Sequence, residues 1–175
     1  VFTASASAAK NGTLGGLIDF SASAQFITAD WADQTSGYVT IEFYIRSTSV
    51  TGLGSASIFA HSSAGAAGTT TEQMMVARFG TDGILEAYDS AYRDVSSSAS
   101  SINTWVKFEA EFDFTGQAVR YWIDDVLSPN DGSHGIGYSN TLDSLSRLSF
   151  KDIFTAGDEW HIDDVLVYGG QRVAP

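Results

Sequence analysis

The chain has no cysteine, only two prolines and three histidines, and its nine lysines and arginines face 21 aspartates and glutamates. Without cysteine there is neither a disulfide framework nor a thiolate metal site. His61, His134 and His161 stand far apart and form no H-E-x-x-H run, so a transition-metal site is not expected. A net charge of −12 repels phosphate backbones and acidic lipids, which argues against nucleic acid and membrane as partners. No stretch approaches the roughly 18 consecutive apolar residues of a membrane span, and nothing resembles a signal peptide. A Gly-x-Ser-x-Gly elbow is missing as well, and Gly15-Gly16 and Gly169-Gly170 are too isolated to cradle phosphate and read as strand ends. The first residue is Val1, which fits a mature or excised domain.

Helical periodicity is the next absence. In its place, short alternating runs bounded by Gly, Ser, Asn and Asp recur about every ten residues, the pattern of an all-β sandwich or barrel. Strands are expected near Gly16–Phe20, Gln25–Thr28, Tyr38–Ser47, Ser57–His61, Gln73–Gly80, Ile84–Asp89, Trp105–Phe114, Ala118–Asp124, Arg147–Lys151 and His161–Tyr168. Asp82-Gly83 and Thr115-Gly116 mark tight hairpin turns, which favour antiparallel neighbours. Ser62–Thr71 and Val95–Ser101 are small and polar and read as mobile loops. Hydrophobic residues at 43%, with eleven Phe, seven Tyr and four Trp, suffice for one core, so residues 1–175 are taken as a single domain.

A double aspartate occurs twice, in Tyr121-Trp122-Ile123-Asp124-Asp125-Val126-Leu127 and in Trp160-His161-Ile162-Asp163-Asp164-Val165-Leu166-Val167-Tyr168. Two adjacent carboxylates put one on the side that strand alternation reserves for the core. In the first copy a turn or bulge at the strand end answers the difficulty. In the second the run resumes, apolar on both faces from Val165, so a carboxylate there needs a cation or several hydrogen-bond donors.

Alternation also sorts candidate ligand residues. Val39, Ile41, Phe43 and Ile45 face one way, which leaves Tyr44 and Arg46 on the other, and Val119, Tyr121 and Ile123 leave Arg120 and Trp122 outside. Arg78, Tyr88 and Lys107 join them by the same parity. Aromatic rings beside charged groups on a sheet suit sugars, whose C–H faces stack on rings while hydroxyls take hydrogen bonds. Glu109, Glu111 and Asp113 share one face too, with neighbouring carboxylates about 7 Å apart along the strand, within the roughly 5–9.5 Å that glycosidases use. Nothing in the run would raise one pKa, however, and alternating charge reads as a solvated face. His61 reads as a half-exposed polar strand end.

The stretch Asn103–Asp113 with Trp105 near its start, then Gly116 and Val119–Asp124, resembles the central hairpin of concanavalin A-like (laminin G-like) jelly-roll domains. Trp160–Tyr168 is similar to the closing strand of such domains and of carbohydrate-binding jelly rolls. The resemblance implies a two-sheet antiparallel β-sandwich, first and last strands adjacent, over roughly residues 38–168. It implies lectins, binding modules, glycoside hydrolases or polysaccharide lyases alike. Glu109-x-Glu111-x-Asp113 departs from the E-x-D-x-x-E of laminarinase-like hydrolases, and the R-x-E-x-R, Q-x-H and Y-x-K-x-G strands of alginate-lyase-like members are missing. The expectation is therefore non-catalytic binding of an extracellular polysaccharide by a secreted or cell-surface domain, a monomer or a module of a larger protein. Alternatives are a small lyase or hydrolase of the same fold and a structural or adhesive domain. The resemblance further implies a structural calcium near the closing aspartates, with Asp164 and Asp19 as ligands and Asn11 or Gly12 as oxygen donors.

Overall fold

A computed structural model of the chain describes residues 2–13, 15–19, 26–47, 56–62, 73–79, 84–89, 91–96, 103–128, 141–152 and 159–173. His134, the Asp82-Gly83 turn, the Asp19 side chain and most of the two polar loops lie outside the described residues. Thirteen strands are described: β1 Phe2–Ser5, β2 Gly15–Asp19, β3 Phe26–Gln34, β4 Tyr38–Ser47, β5 Ala56–His61, β6 Gln73–Phe79, β7 Leu85–Asp89, β8 Ala91–Asp94, β9 Val106–Asp113, β10 Ala118–Ile123, β11 Val126–Leu127, β12 Leu145–Asp152 and β13 Glu159–Gly169. One 3₁₀ turn, Ala6–Ala8, follows β1.

The strands make two sheets, seven-stranded in the order β1-β2-β13-β4-β9-β10-β11 and six-stranded in the order β3-β12-β5-β6-β7-β8. Every pairing is antiparallel. β2, the first strand legible in the sequence, does pair with the last, Ile18 opposite Trp160. Three short strands, β1, β8 and β11, were not visible in the alternation.

The core lies between the inner faces, as alternation requires: Val39, Ile41, Phe43 and Ile45 of β4 with Val106, Phe108, Ala110 and Phe112 of β9, against Ile58 and Ala60 of β5 and Leu148 and Phe150 of β12. Phe43 ties the layers together. Its ring stacks on Phe108 in its own sheet at 4.8 Å and meets Phe150 of the other sheet edge-on at 5.4 Å. The Thr115-Gly116 turn forms as expected, with Asp113 Oδ1 accepting from the Thr115 and Gly116 amides at 2.9 and 2.8 Å.

Candidate functional site

The first double aspartate is a turn. Asp124 and Asp125 both have positive φ, 50° and 66°, and form the two-residue link between β10 and β11, where Ile123 pairs with Val126. Short polar side chains tolerate this left-handed backbone because they bond locally. Asp124 Oδ1 accepts from the Lys107 amide at 2.8 Å, and Asp125 Oδ1 accepts from Lys107 Nζ at 3.1 Å.

The second is a bulge. Asp163 pairs with Tyr44 and Leu166 with Glu42, so Asp164 and Val165 together oppose Phe43, with Asp164 at φ 52°. The extra residue resets the alternation: Trp160 and Ile162 face inward before it and Val167 after it, while Asp163, Leu166 and Tyr168 lie on the outer side. The expectation of a buried strand around Asp164 is corrected here, since Asp164, Val165 and Leu166 are exposed. Asp163 takes the burden instead. Its Oδ2 accepts from the amides of Lys10 and Asn11 at 2.7 and 3.0 Å, and its Oδ1 from the Asp164 amide at 3.0 Å. Burial acts to raise the Asp163 pKa, but these amide bonds outweigh it and hold it below the usual aspartate value. Asp164 Oδ2 accepts from Asn11 Nδ2 at 2.6 Å. Among the described residues no group of three or more His, Asp or Glu side chains could hold a metal ion.

The six residues singled out for ligand contact divide between opposite surfaces. Tyr44, Arg46, Arg120 and Trp122 lie on the outer face of the seven-stranded sheet with Lys107; Arg78 and Tyr88 belong to the six-stranded sheet. Parity within a strand tells inside from outside but not which sheet the strand joins, so the sequence merged two faces into one.

On the seven-stranded sheet the rings are already engaged by cations. Lys10 Nζ sits 3.3 Å from the Tyr44 ring centroid, the Arg46 guanidinium 4.9 Å from Trp105, and the Arg172 guanidinium 5.0 Å from Trp122. Arg46 also donates to His161 Nδ1 and to the Ser7 carbonyl, the latter at 2.7 Å. Arg172, just past β13, folds back over β9 and β10. Its Nε and one terminal nitrogen donate to the two Glu109 oxygens at 2.9 Å each, that terminal nitrogen also donates to Asp125 at 2.6 Å, and its amide donates to Glu111 at 2.7 Å. Lys107 stands 3.4 Å from Glu109 and 3.6 Å from Glu42. The reading of Glu109 and Glu111 as solvated is thereby overturned: they are 0% and 4% exposed. No local pattern announced this, because their partner lies some sixty residues on.

On the six-stranded sheet, the Arg78 guanidinium lies 3.4 Å from the Tyr92 ring centroid and pairs with Glu86 at 2.7 Å, while Tyr88 meets Tyr92 edge-on at 5.2 Å. Arg78, Glu86, Tyr88 and Tyr92 are all half-buried. β8 is only four residues long and was not read as a strand, so the sequence did not place Tyr92 on this face. His61, on β5 opposite Arg147, is 0% exposed rather than half-exposed. Neither ring nitrogen has a hydrogen-bond partner among the described residues. Burial, then the Arg147 charge, push its pKa down to about 4, partly offset by Asp30. Asp30 itself holds Arg147 through two bonds, 2.6 and 2.9 Å.

No known family profile matches the sequence, and no curated protein is detectably similar to it. Solved structures do match. A sialidase superimposes with TM-score 0.66 over 89% of the chain at 10% identity, a calreticulin globular domain from T. cruzi with 0.63 over 98% at 10%, and the alginate lyase AlyC3 with 0.55 over 77% at 13%. The fold is a concanavalin A-like jelly roll. The chain spans 15% of the sialidase, 80% of the calreticulin domain and 66% of the lyase. Two of the three matched proteins carry carbohydrate-active names.

Proposed function

We propose that this domain binds an extracellular polysaccharide without cleaving it, through the outer face of the six-stranded sheet. The observation that carries the reading is the cluster of Arg78, Glu86, Tyr88 and Tyr92: two rings held at a fixed angle, with a guanidinium and a carboxylate beside them to meet hydroxyls. A net charge of −12 favours a neutral glycan over a polyanion. Tyr88→Ala should weaken glycan binding by about 1–3 kcal/mol, the range of a well-packed aromatic anchor, and Arg78→Ala should act in the same direction, while Trp122→Ala leaves affinity unchanged. Calorimetric titration with soluble polysaccharides decides it; loss confined to Trp122→Ala and Tyr44→Ala would return the site to the other sheet.

A lyase is the second reading, with His61 on that same sheet face as its candidate general base, a role that requires the groups covering its buried ring to part. Appearance of absorbance at 235 nm on incubation with a uronic-acid polymer, abolished in His61→Ala, would establish it against simple binding.

Structural calcium is part of the proposal, held at Asp164 with Asn11. The exposed Asn11 amide, turned over, presents its oxygen beside that carboxylate. Calcium should raise the melting temperature, and Asp164→Ala should abolish the rise; equal melting temperatures in calcium and in excess chelator refute it.

A further inference from the structure

At the seam between the sheets, away from the Arg78 cluster, β3 and the end of β13 leave an open groove of about 210 Å³ lined by Trp31, Ala32, Gln34, Val167, Tyr168 and Gly169. Three features give it a chemical character. Trp31 forms a fixed wall: it packs against the core, and its Nε1 donates to the Leu145 carbonyl at 3.1 Å, so the indole does not swing. Gln34 supplies a polar side chain whose Nε2 bonds the Ala32 carbonyl at 3.1 Å and whose Oε1 is directed toward Gly169. The third feature is main chain. β2 pairs with β13 only from Glu159 to Ile162, so past the bulge that edge of β13 is not continued by β2, and its peptide groups along Val167–Gly169 border the groove.

We propose that this groove is a subsite for one neutral pyranose residue. An aromatic wall, a side-chain amide and edge peptide groups, with no charged side chain among the described lining residues, match a ring that is apolar on its C–H face and hydroxylated at its rim. A charged sugar would meet no counter-ion among the described lining residues, and the volume holds one ring rather than a chain. The inference rests on the polysaccharide-binding reading and extends it: the Arg78 cluster and the groove lie at different places on the sandwich, so a glycan end or branch would occupy the seam.

Gly169 offers a clean test. Its φ is not in the left-handed region, and a Cβ there meets only Gln34 Oε1, at 3.8 Å, so Gly169→Leu fills the groove without straining the backbone. The probes are neutral gluco-, xylo- and manno-oligosaccharides at millimolar concentration, followed by ¹H–¹⁵N NMR and calorimetry. The expected result is shifts at the Trp31 indole, the Gln34 side-chain amide and Gly169, lost in Gly169→Leu at unchanged melting temperature, with affinity reduced about tenfold in Gln34→Ala. Oligosaccharides that shift Tyr88 and Tyr92 but bind equally well to Gly169→Leu overturn the subsite alone. Absence of binding to the wild-type protein by every oligosaccharide and polysaccharide overturns both readings.

Discussion

Arg172 is the residue whose removal the structure prices most clearly. Its side chain is 7% exposed and that of Glu109 1%, joined by two bonds of 2.9 Å each. Burial alone would lower the Arg172 pKa, but Glu109 and then Asp125 reverse the effect and raise it, so the guanidinium is charged throughout. In Arg172→Ala, Glu109 would keep, among the described residues, only Lys107, 3.4 Å away, at one of its oxygens, while Glu111 would keep its bond from the main-chain amide of residue 172. Stranding one partner of a buried pair costs about 3–5 kcal/mol. Lys107 and readmitted water offset part of that, so we expect about 2–3 kcal/mol, a large share of a stability of roughly 5–15 kcal/mol. Arg172→Lys should recover about half, because an ammonium restores charge but not the fork. Urea unfolding of wild type, Arg172→Ala, Glu109→Gln and the double variant measures it, with a coupling of at least about 1.5 kcal/mol expected from contacting partners. Additive single effects, or a cost for Arg172→Ala below about 0.5 kcal/mol, would refute the reasoning.

Two further outcomes concern pH. Asp163, held below the usual aspartate value, contributes stability that is present above the unfolded pKa and is lost as pH falls through the lower folded one; Asp163→Asn should remove that acid limb and cost about 1.5–3 kcal/mol at neutral pH, as acid titration of the two unfolding curves will show. His61 is the opposite kind of group, a base whose folded pKa is depressed from 6.5 to about 4. The unfolded chain therefore takes up its proton first, and stability falls as pH drops from about 6.5 toward 4. With Arg147 and Asp30 facing the ring left in place, His61→Gln should flatten this slope; identical pH curves for the variant and wild type contradict it.

Much of the sandwich was legible because β4, β9 and β10 alternate strictly, and their inner residues are the core the pattern demands. Asp124-Asp125 was legible as a turn for the same reason: the apolar run halts there. Asp163-Asp164 was not, because a bulge needs only one left-handed residue, and the run on either side continues as strand. The assignment of Arg78 and Tyr88 to a separate sheet was invisible for want of any local signal of strand order. Burial of Glu109 and Glu111 depended on a single arginine beyond the last strand, where no periodicity exists to read.

Both ends of the described chain rest on one side of the molecule. Ser7 and Lys10 reach Arg46 and Tyr44, and Arg172 covers Trp122, all on the outer face of the seven-stranded sheet. A fusion partner or a surface linker attached near either end therefore departs from that side. Immobilised through such a linker, the domain would turn its six-stranded face to the surrounding liquid.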